Sequence, residues 1–370
     1  MNIVFLNRMA ATHIGGGEHV MLRLMEEMCD RGHKTILISA RPFFSQGEQL
    51  ATSAEQIVFR SPFIRYIAIR RKWIYPLPAI GVLLDGWLFA IRAWGILKCL
   101  RKVGRCDVIF LTGFPRLGAR IERRLGIPVV VRMPGPPDSL DRGALEKVSA
   151  VVANGDAYKQ IKKRSLKRLY NIPPGIAPMF FVQRDVESRY PSHRVMLFVG
   201  RFTRIKNLSF LLEVVSRVKE IVPDVLLVLV GGGEMKVELE RRVKKLDIAK
   251  WVTFVNPTYG EALADMYRGA DLFVLSSFYD NFPNVINEAM ASGLPVVATD
   301  VGGVSLQVDD GQTGYLVSSG DVEMFCERVI DLLSHSDKRT LFGARAREKV
   351  KGVTWGVAGE TFERALRDVV

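Results

Sequence analysis

The sequence predicts an α/β protein built from two doubly wound parallel-sheet domains. Short apolar segments that end in glycine turns alternate with amphipathic helical segments along most of the chain, a pattern typical of buried parallel strands. The length of 370 residues exceeds the size at which one hydrophobic core usually stops growing. A stretch rich in proline and glycine, over 171–185, separates the two halves. We therefore expect a first domain over 1–180 and a second over 181–354.

The first strand is predicted over MNIVFLN, and a glycine loop and a helix follow it. Apolar side chains at Val20, Leu24 and Met28 recur at helical spacing. A strand, loop and helix in this order are common in nucleotide-binding folds, so the unit is weak evidence alone. The loop glycines are Gly15, Gly16 and Gly17. They allow the backbone to approach a phosphate closely, or they form only a tight turn.

The segment 63–102 interleaves basic and aromatic side chains. This pattern is typical of an interfacial contact with a membrane. The residues predicted to make that contact are Arg70, Arg71, Lys72 and Trp73. The longest uncharged run stops at Asp85, well short of the roughly 20 residues that a spanning helix needs. A second interpretation, compatible with the first, is that 82–97 forms a core helix with a solvated basic face.

In the second half, Val195–Asn207 reads as a strand that ends in Gly200 and is followed by Arg201 and Lys206. The carboxyl ends of parallel strands are where α/β sheets bind ligands. Two cations at this point suit an anionic ligand whose charge grows during a reaction. The alternative is that both are ordinary surface charges.

The stretch 279–303 is predicted to follow a buried strand over 271–277 and to contain a polar loop, a helix and a glycine turn. The helix start carries unpaired N–H groups that suit a phosphate; its residues are Phe282, Pro283, Asn284 and Val285. Asp280 lies in the loop and Glu288 lies one turn into the helix, where carboxylates can accept hydrogen bonds from sugar hydroxyls. The grouping suits a sugar nucleotide. Alternatively, Asp280 caps the helix and Glu288 is solvated.

The spacing of these two acids, followed by AMASGLPVVATDVGG, closely resembles the retaining glycosyltransferases of family 4, also called glycosyl transferases group 1. The segments GGGEHV and VMLFVGRFTRIKN match the same family, so the resemblance covers nearly the whole chain. It implies the GT-B fold, in which two Rossmann-like domains face a central cleft. It also implies that a C-terminal helix over 355–370 crosses back to complete the first domain.

The resemblance implies a role for each candidate residue. Arg201 and Lys206 would stabilise the leaving nucleoside diphosphate, Glu288 would hold the ribose, and Asp280 would hold the transferred sugar. Donor-binding positions carried over from the family are Gly15, Gly16, Gly17, Gly200, Phe282, Pro283, Asn284 and Val285. The implied reaction moves a sugar from a nucleoside-diphosphate sugar to a hydroxyl of a glycan or lipid-linked acceptor, in the synthesis of cell-surface polysaccharide or glycolipid.

The sequence departs from the family pattern at two points. Asp280 stands where relatives usually have the longer Glu. No His follows the strand predicted over 127–131, and Arg132 occupies part of the loop expected there. An inactive protein that binds a sugar nucleotide is therefore an alternative. A GT-B sugar-nucleotide epimerase or hydrolase is another.

The charge is unevenly distributed. The net charge is +13, with +15 in residues 1–180 and −2 in the rest. A basic first domain suggests an anionic partner, such as an anionic membrane surface or a lipid-linked acceptor. Nucleic acid would also fit the charge, but no recognition helix or RNA-binding signature is present, so none is expected as a partner.

The sequence carries no pattern that predicts a metal or cofactor. The four cysteines form no CxxC pair, the five histidines lack metal-ligand spacing, and no DxD pair is present. We expect free thiols and no metal, with the nucleotide sugar as a substrate. Met1 leads directly into a predicted core strand, so we expect a cytoplasmic protein that lies peripherally on the inner face of the cell membrane.

Overall fold

The computed structural model of the chain describes residues 1–8, 10, 16–42, 52–61, 78–138, 141–164, 166, 168–183 and 189–370. Several predicted site residues lie outside these ranges: Gly15 of the glycine loop, and Arg70, Arg71, Lys72 and Trp73 of the predicted membrane contact.

The described chain divides into two units. The first comprises Met1–Pro174 and Trp355–Val370, and the second comprises Gly175–Thr354. The first unit therefore ends before residue 180. The reason is that Ile176 forms a β-bridge with Thr354, while Phe180 packs into the hydrophobic core of the second unit.

The first unit contains a parallel sheet with helices on both faces. Its strands are β1 (Asn2–Leu6), β2 (Lys34–Pro42), β3 (Glu55–Ser61), β4 (Val108–Thr112), β5 (Val129–Met133), β6 (Ala150–Ala153) and β7 (Leu169–Asn171). Its helices are α1 (Gly16–Asp30), α2 (Pro78–Lys102), α3 (Pro115–Leu125), α4 (Arg142–Leu145), α5 (Gly155–Lys162) and the C-terminal helix α12 (Trp355–Arg367).

The strand order of this sheet is β3-β2-β1-β4-β5-β6-β7, and every pair is parallel. The strands are apolar because both faces are covered. On one face, α1 and α12 pack over an aromatic group in which the Phe362 ring lies 4.6 Å from Phe110 and 6.1 Å from Phe5. The order reverses beside β1, so the switch point of this sheet lies between β1 and β4.

Helix α2 covers part of the other face. Phe89, Ala93 and Leu97 recur at helical spacing and are buried in that core, which confirms the predicted core helix. Residues on the opposite side of the helix, such as Arg92 and Lys98, are exposed. None of the helices in the described part of the chain is both long enough and apolar enough to cross a membrane.

The second unit repeats the same architecture. Its strands are β8 (Arg194–Arg201), β9 (Val225–Gly232), β10 (Val252–Val255), β11 (Leu272–Leu275), β12 (Val296–Thr299) and β13 (Gly314–Val317). Its helices are α6 (Leu208–Val218), α7 (Lys236–Lys245), α8 (Gly260–Arg268), α9 (Asn284–Ala291), α10 (Val322–Ser334) and α11 (Ser336–Val350).

The strand order of the second sheet is β10-β9-β8-β11-β12-β13, again all parallel. Its switch point lies between β8 and β11, and the carboxyl ends of these two strands are the expected ligand-binding edge. Gly200 and Gly231 are register partners at this edge. A Cβ on Gly231 would lie 1.9 Å from the Gly200 carbonyl oxygen, so the close approach requires glycine. The two parallel sheets confirm the predicted doubly wound α/β class.

Candidate active site

Lys206 lies in the turn that follows β8, at the switch point of the second sheet. Residues after β11 hold the backbone of this turn. The Ser276 hydroxyl donates to the carbonyl oxygens of Lys206 at 3.0 Å and Asn207 at 3.1 Å. The Phe278 N–H donates to the Ile205 carbonyl at 2.8 Å. The lysine is therefore presented on a turn that is fixed to the neighbouring strand.

Asp280 and Lys206 form an ion pair, although they are 74 residues apart in sequence. The Lys206 Nζ lies 2.8 Å from both Oδ1 and Oδ2 of Asp280. The two side chains are only 15% and 16% exposed, so solvent screens the pair weakly. An ammonium has three N–H donors, and the carboxylate accepts from this group with both of its oxygens. The pairing fixes the position of the Lys206 ammonium group.

The glycine turn after β12 positions Asp280. The Gly303 N–H donates to the Asp280 carbonyl at 2.9 Å. A Cβ on Gly302 would lie only 2.1 Å from the same oxygen, and Gly302 has φ of 57°. Only glycine combines this backbone conformation with such a close approach. The predicted glycine turn thus supports the loop that carries the acid.

Helix α9 begins four residues after Asp280. Pro283 precedes it and, as a proline, offers no side-chain cap in the described structure, so N–H groups of the first turn can bind an anion. The buried Gln307 side chain fixes the start of α9 by two hydrogen bonds. Its Nε2 donates to the Pro283 carbonyl at 3.1 Å and to Asn287 Oδ1 at 2.8 Å. Phe282, Asn284 and Val285 are partly exposed around it.

Glu288 lies one turn into α9 and interacts with a buried tyrosine of α8. The Tyr267 hydroxyl donates to Glu288 Oε2 at 3.0 Å. Burial of the carboxyl group raises the pKa of Glu288 to about 7, although the hydrogen bond from Tyr267 acts in the opposite direction. Near neutral pH the carboxyl group is therefore divided between its protonated and ionised forms. New hydrogen-bond donors would favour the ionised form.

Arg201 and Gly200 are the last two residues of β8. The Arg201 side chain is exposed and forms no ion pair within the described ranges, whereas Lys206 is held in one. The structure thus brings Lys206, Asp280 and the start of α9 together by direct contacts and short loops. Arg201 lies at the same sheet edge but is not fixed by them.

Gly16 and Gly17 are the first two residues of α1, in the first unit. A Cβ on Gly17 would lie 3.8 Å from Arg132 Nη1, and nothing lies within 4 Å of that position on Gly16. The prediction placed Arg132 in a loop after 127–131. This is wrong, because β5 runs to Met133 and Arg132 has register partners in both β4 and β6. Arg132 is a strand residue.

Sequence reasoning missed three residues that support the site: Tyr267, Ser276 and Gln307. All three are polar groups in largely apolar surroundings, and Tyr267 and Gln307 are 0% and 3% exposed. A polar residue directly after an apolar strand, as at Ser276, is the only signal that the sequence offered. The other two contacts depend on how α8, α9 and the turn near residue 307 pack.

Comparison with known proteins identifies the second unit. The family model for glycosyl transferases group 1 matches residues 180–349. The D-inositol 3-phosphate glycosyltransferase of Corynebacterium diphtheriae is 36% identical over 188 residues, which are 48% of this chain and 43% of that protein. The protein of the same name from Kribbella flavida is 28% identical over 318 residues, 73% of each chain. The chain spans less than half the length of the first curated relatives that it matches.

Solved structures are similar over the whole chain. Sucrose-phosphate synthase from Thermosynechococcus elongatus has a TM-score of 0.80 at 19% identity, and the match covers 99% of this chain and 98% of that one. Anabaena HepE in complex with UDP-glucose has a TM-score of 0.75 at 18% identity and covers 99% of both chains. At such identities the likeness shows the fold alone. Residues 180–349 of the second unit thus match the glycosyl transferases group 1 family, and the chain has the GT-B fold with two Rossmann-like domains.

Proposed function

We propose that the chain is a retaining glycosyltransferase that moves a sugar from a nucleoside-diphosphate sugar to a hydroxyl group of a glycan or lipid-linked acceptor. The observation that carries this proposal is the Lys206–Asp280 ion pair at the switch point of the second sheet. Asp280 lies four residues before the start of α9, where the N-cap residue Pro283 provides no side-chain cap. This arrangement presents an ammonium group and backbone N–H groups at one sheet edge.

The chemistry of sugar transfer explains why such an arrangement is useful. When the bond between the anomeric carbon and the diphosphate oxygen breaks, negative charge builds up on the departing diphosphate. Lys206 and the N–H groups of α9 are fixed donors that would stabilise this charge without reorganising. The exposed Arg201 side chain lies at the same sheet edge and would add a further positive charge. Both carboxylate oxygens of Asp280 accept hydrogen bonds from the Lys206 ammonium group in the free protein. A diphosphate that binds here would share the ammonium group with Asp280.

The two acids would hold hydroxyl groups of the donor. Glu288 lies one turn further along α9 than the proposed phosphate site, which suits the ribose. The ribose hydroxyls would donate hydrogen bonds to the ionised carboxylate of Glu288. Because the pKa of Glu288 is raised to about 7, only part of the free protein carries this ionised form near neutral pH. Asp280 would orient the transferred sugar from the same loop.

Retention of the anomeric configuration requires no separate base. In a front-face displacement, the acceptor oxygen bonds to the anomeric carbon on the side from which the diphosphate leaves. The acceptor proton then passes to the departing diphosphate oxygen, so that charge and atoms balance. Fixed cations around the diphosphate are the main requirement. We therefore also propose that the reaction needs no metal ion.

The first unit suits an anionic acceptor or surface. Exposed arginines line α3, and apolar side chains near its start and near the end of α2 are exposed as well, including Phe114 at 51% and Val103 at 65%. Basic side chains beside exposed apolar groups favour peripheral contact with an anionic membrane. Sedimentation with anionic vesicles at low salt tests this; protein that stays in the supernatant would contradict it.

The transfer reaction is tested by measuring the release of nucleoside diphosphate from donors in the presence of candidate acceptors, with NMR analysis of the product anomer. Lys206→Ala should lose most of the release, whereas Lys245→Ala, which removes an exposed charge at the end of α7, should keep it. A product with inverted configuration, or equal rates in both variants, would contradict the proposal.

A further inference from the structure

A pair of buried amides links helix α9 to the turn that follows β12. The side chains of Asn287 and Gln307 are 4% and 3% exposed and lie 20 residues apart in sequence. Gln307 Nε2 donates to Asn287 Oδ1 at 2.8 Å and to the Pro283 carbonyl at 3.1 Å. Pro283 is the N-cap residue of α9 and Asn287 lies one turn further on, so one amide group spans the first turn of the helix.

The partners of the Gln307 amide decide which way it faces. The backbone carbonyl of Pro283 can only accept a hydrogen bond, so the NH₂ group of Gln307 must face it. The amide oxygen, Oε1, then faces the other way. This oxygen is buried and accepts no hydrogen bond from any residue that the structure describes.

This amide pair lowers the stability of the core in which it lies. The apolar residues beside the two amides in the chain are almost fully buried, with Ile286 and Val304 at 0% and Val308 at 1% exposure. A buried acceptor without a donor is unfavourable in such surroundings. Two apolar side chains of the same size would leave no unpaired group, and such a replacement is often neutral or stabilising. Core stability therefore does not explain the pair.

The contact with Pro283 holds the helix start without using its N–H groups. At many helix starts a capping side chain accepts hydrogen bonds from the N–H groups of the first turn. The N-cap residue Pro283 provides no such side chain. Gln307 holds the helix start through a carbonyl oxygen instead, and it leaves those N–H groups to other acceptors. An anion that binds at a helix start requires this arrangement.

The same short segment also holds the loop that carries Asp280. The Gly303 N–H donates to the Asp280 carbonyl at 2.9 Å, and Gln307 lies four residues further along the chain. The segment 302–307 therefore fixes both Asp280 and the start of α9. A ligand that contacts Lys206 and the helix start at once needs these parts in a constant relative position.

We propose that Gln307 is a positioning residue for the donor diphosphate. It holds the Pro283 carbonyl so that the N–H groups of the first turn of α9 stay directed at the diphosphate, and this role lowers the stability of the second unit. The inference rests on the proposed function, in which the start of α9 binds the diphosphate. If the pair only filled the core, nucleotide affinity would change only as far as stability changes.

The test separates stability from nucleotide affinity. The double variant Asn287→Leu/Gln307→Met removes both amides, keeps side chains of similar size and leaves no polar group behind. Thr313→Val is the matched control, because the Thr313 hydroxyl is also buried, at 3% exposure, and accepts from the Asp309 N–H at 2.9 Å. Thr313 directly precedes β13, at the opposite, amino edge of the same sheet. For each protein, urea unfolding gives the midpoint, and calorimetry gives the affinity for UDP, GDP, ADP and dTDP, titrated one at a time.

We expect the double variant to unfold at a urea concentration at least equal to that of the wild type. Its affinity for the diphosphate that the wild type binds should nevertheless be at least tenfold lower. Thr313→Val should show the reverse, a lower midpoint with unchanged affinity. Equal affinity in the double variant and the wild type would overturn the role of Gln307 and leave the proposed function intact. Lower midpoints with lower affinities in both variants would also overturn it, because affinity would then follow stability. If none of the four diphosphates binds the wild type, the proposed function fails, and this inference fails with it.

A second variant does not depend on the folding of the double variant. Asn287→Leu alone keeps Gln307 and its contact with the Pro283 carbonyl, but it leaves the other N–H of the amide without an acceptor. Its unfolding midpoint should fall, whereas its affinity for the diphosphate should stay within threefold of the wild type. A tenfold loss of affinity in Asn287→Leu would contradict a role that acts through the Pro283 carbonyl.

Discussion

The ionisation of Glu288 predicts that donor binding depends on pH. The carboxyl group has a pKa of about 7 because burial disfavours its charge. If ribose hydroxyls donate to the ionised form, donor binding must release a proton at any pH below this value. The affinity for a nucleotide sugar should then fall about tenfold, or about 1.4 kcal/mol, for each pH unit below 7. Above about pH 8 it should be constant.

The assay is calorimetry with an intact nucleotide sugar, whose diphosphate does not itself titrate in this range. Titrations from pH 5 to 8 give the affinity, and two buffers of different ionisation enthalpy give the number of protons released. We expect close to one proton at pH 6 and none at pH 8. Glu288→Gln cannot ionise, so its affinity should be low and independent of pH.

Tyr267→Phe is the matched control. The tyrosine hydroxyl favours the ionised form of Glu288 by donating to it at 3.0 Å. Its removal should raise the pKa of Glu288 further and shift the binding profile toward higher pH, while the affinity at high pH changes little. A flat wild-type profile, or the same pH dependence in Glu288→Gln, would refute the role of this carboxyl group.

Four further predictions follow from the site. Lys206→Ala should lower kcat about 10²- to 10³-fold in steady-state assays, the usual effect of removing one fixed donor to a developing charge; equal kcat values would contradict its role. Gly302→Ala should destabilise the second unit by about 2–4 kcal/mol in chemical denaturation, because its Cβ meets the Asp280 carbonyl. Gly311→Ala has a similar positive φ but open space around it and should lose only about 1 kcal/mol; equal losses would show that the contact is unimportant. The folded protein binds more protons than the unfolded chain at Glu288, since its pKa is raised from 4.5 to about 7, so stability falls as pH rises between these values. Glu288→Gln should therefore raise Tm at pH 8 but not at pH 4, and no gain at pH 8 would contradict the raised pKa. Chelation with EDTA should leave transfer activity unchanged, and loss of activity that Mg²⁺ restores would contradict metal independence.

The sequence predicted the elements of the fold because their signals are local. Apolar runs such as the one in β8 and glycine turns such as Gly302–Gly303 can be recognised within a few residues. The pairing of Lys206 with Asp280 could not be predicted in this way. The two are 74 residues apart, and their contact depends on the adjacency of β8 and β11, which a crossover places side by side.

The raised pKa of Glu288 could not be predicted from the sequence either. Its pKa depends on burial against α8 and on the Tyr267 hydroxyl, and neither can be read from the spacing of residues along α9. The same limit applies to Arg132. Its sequence position suggested a loop, and only the register of β5 against β4 shows that it lies beside Thr112.

The most direct test of the proposed donor site is a calorimetric titration of the purified protein against UDP-, GDP-, ADP- and dTDP-sugars, repeated with Lys206→Ala and with the exposed control Lys245→Ala. We predict that one nucleotide class binds the wild type and the control equally, and that it binds Lys206→Ala at least tenfold more weakly. Absence of binding to any nucleotide sugar, or equal affinity in all three proteins, would contradict a donor site built on the Lys206–Asp280 pair.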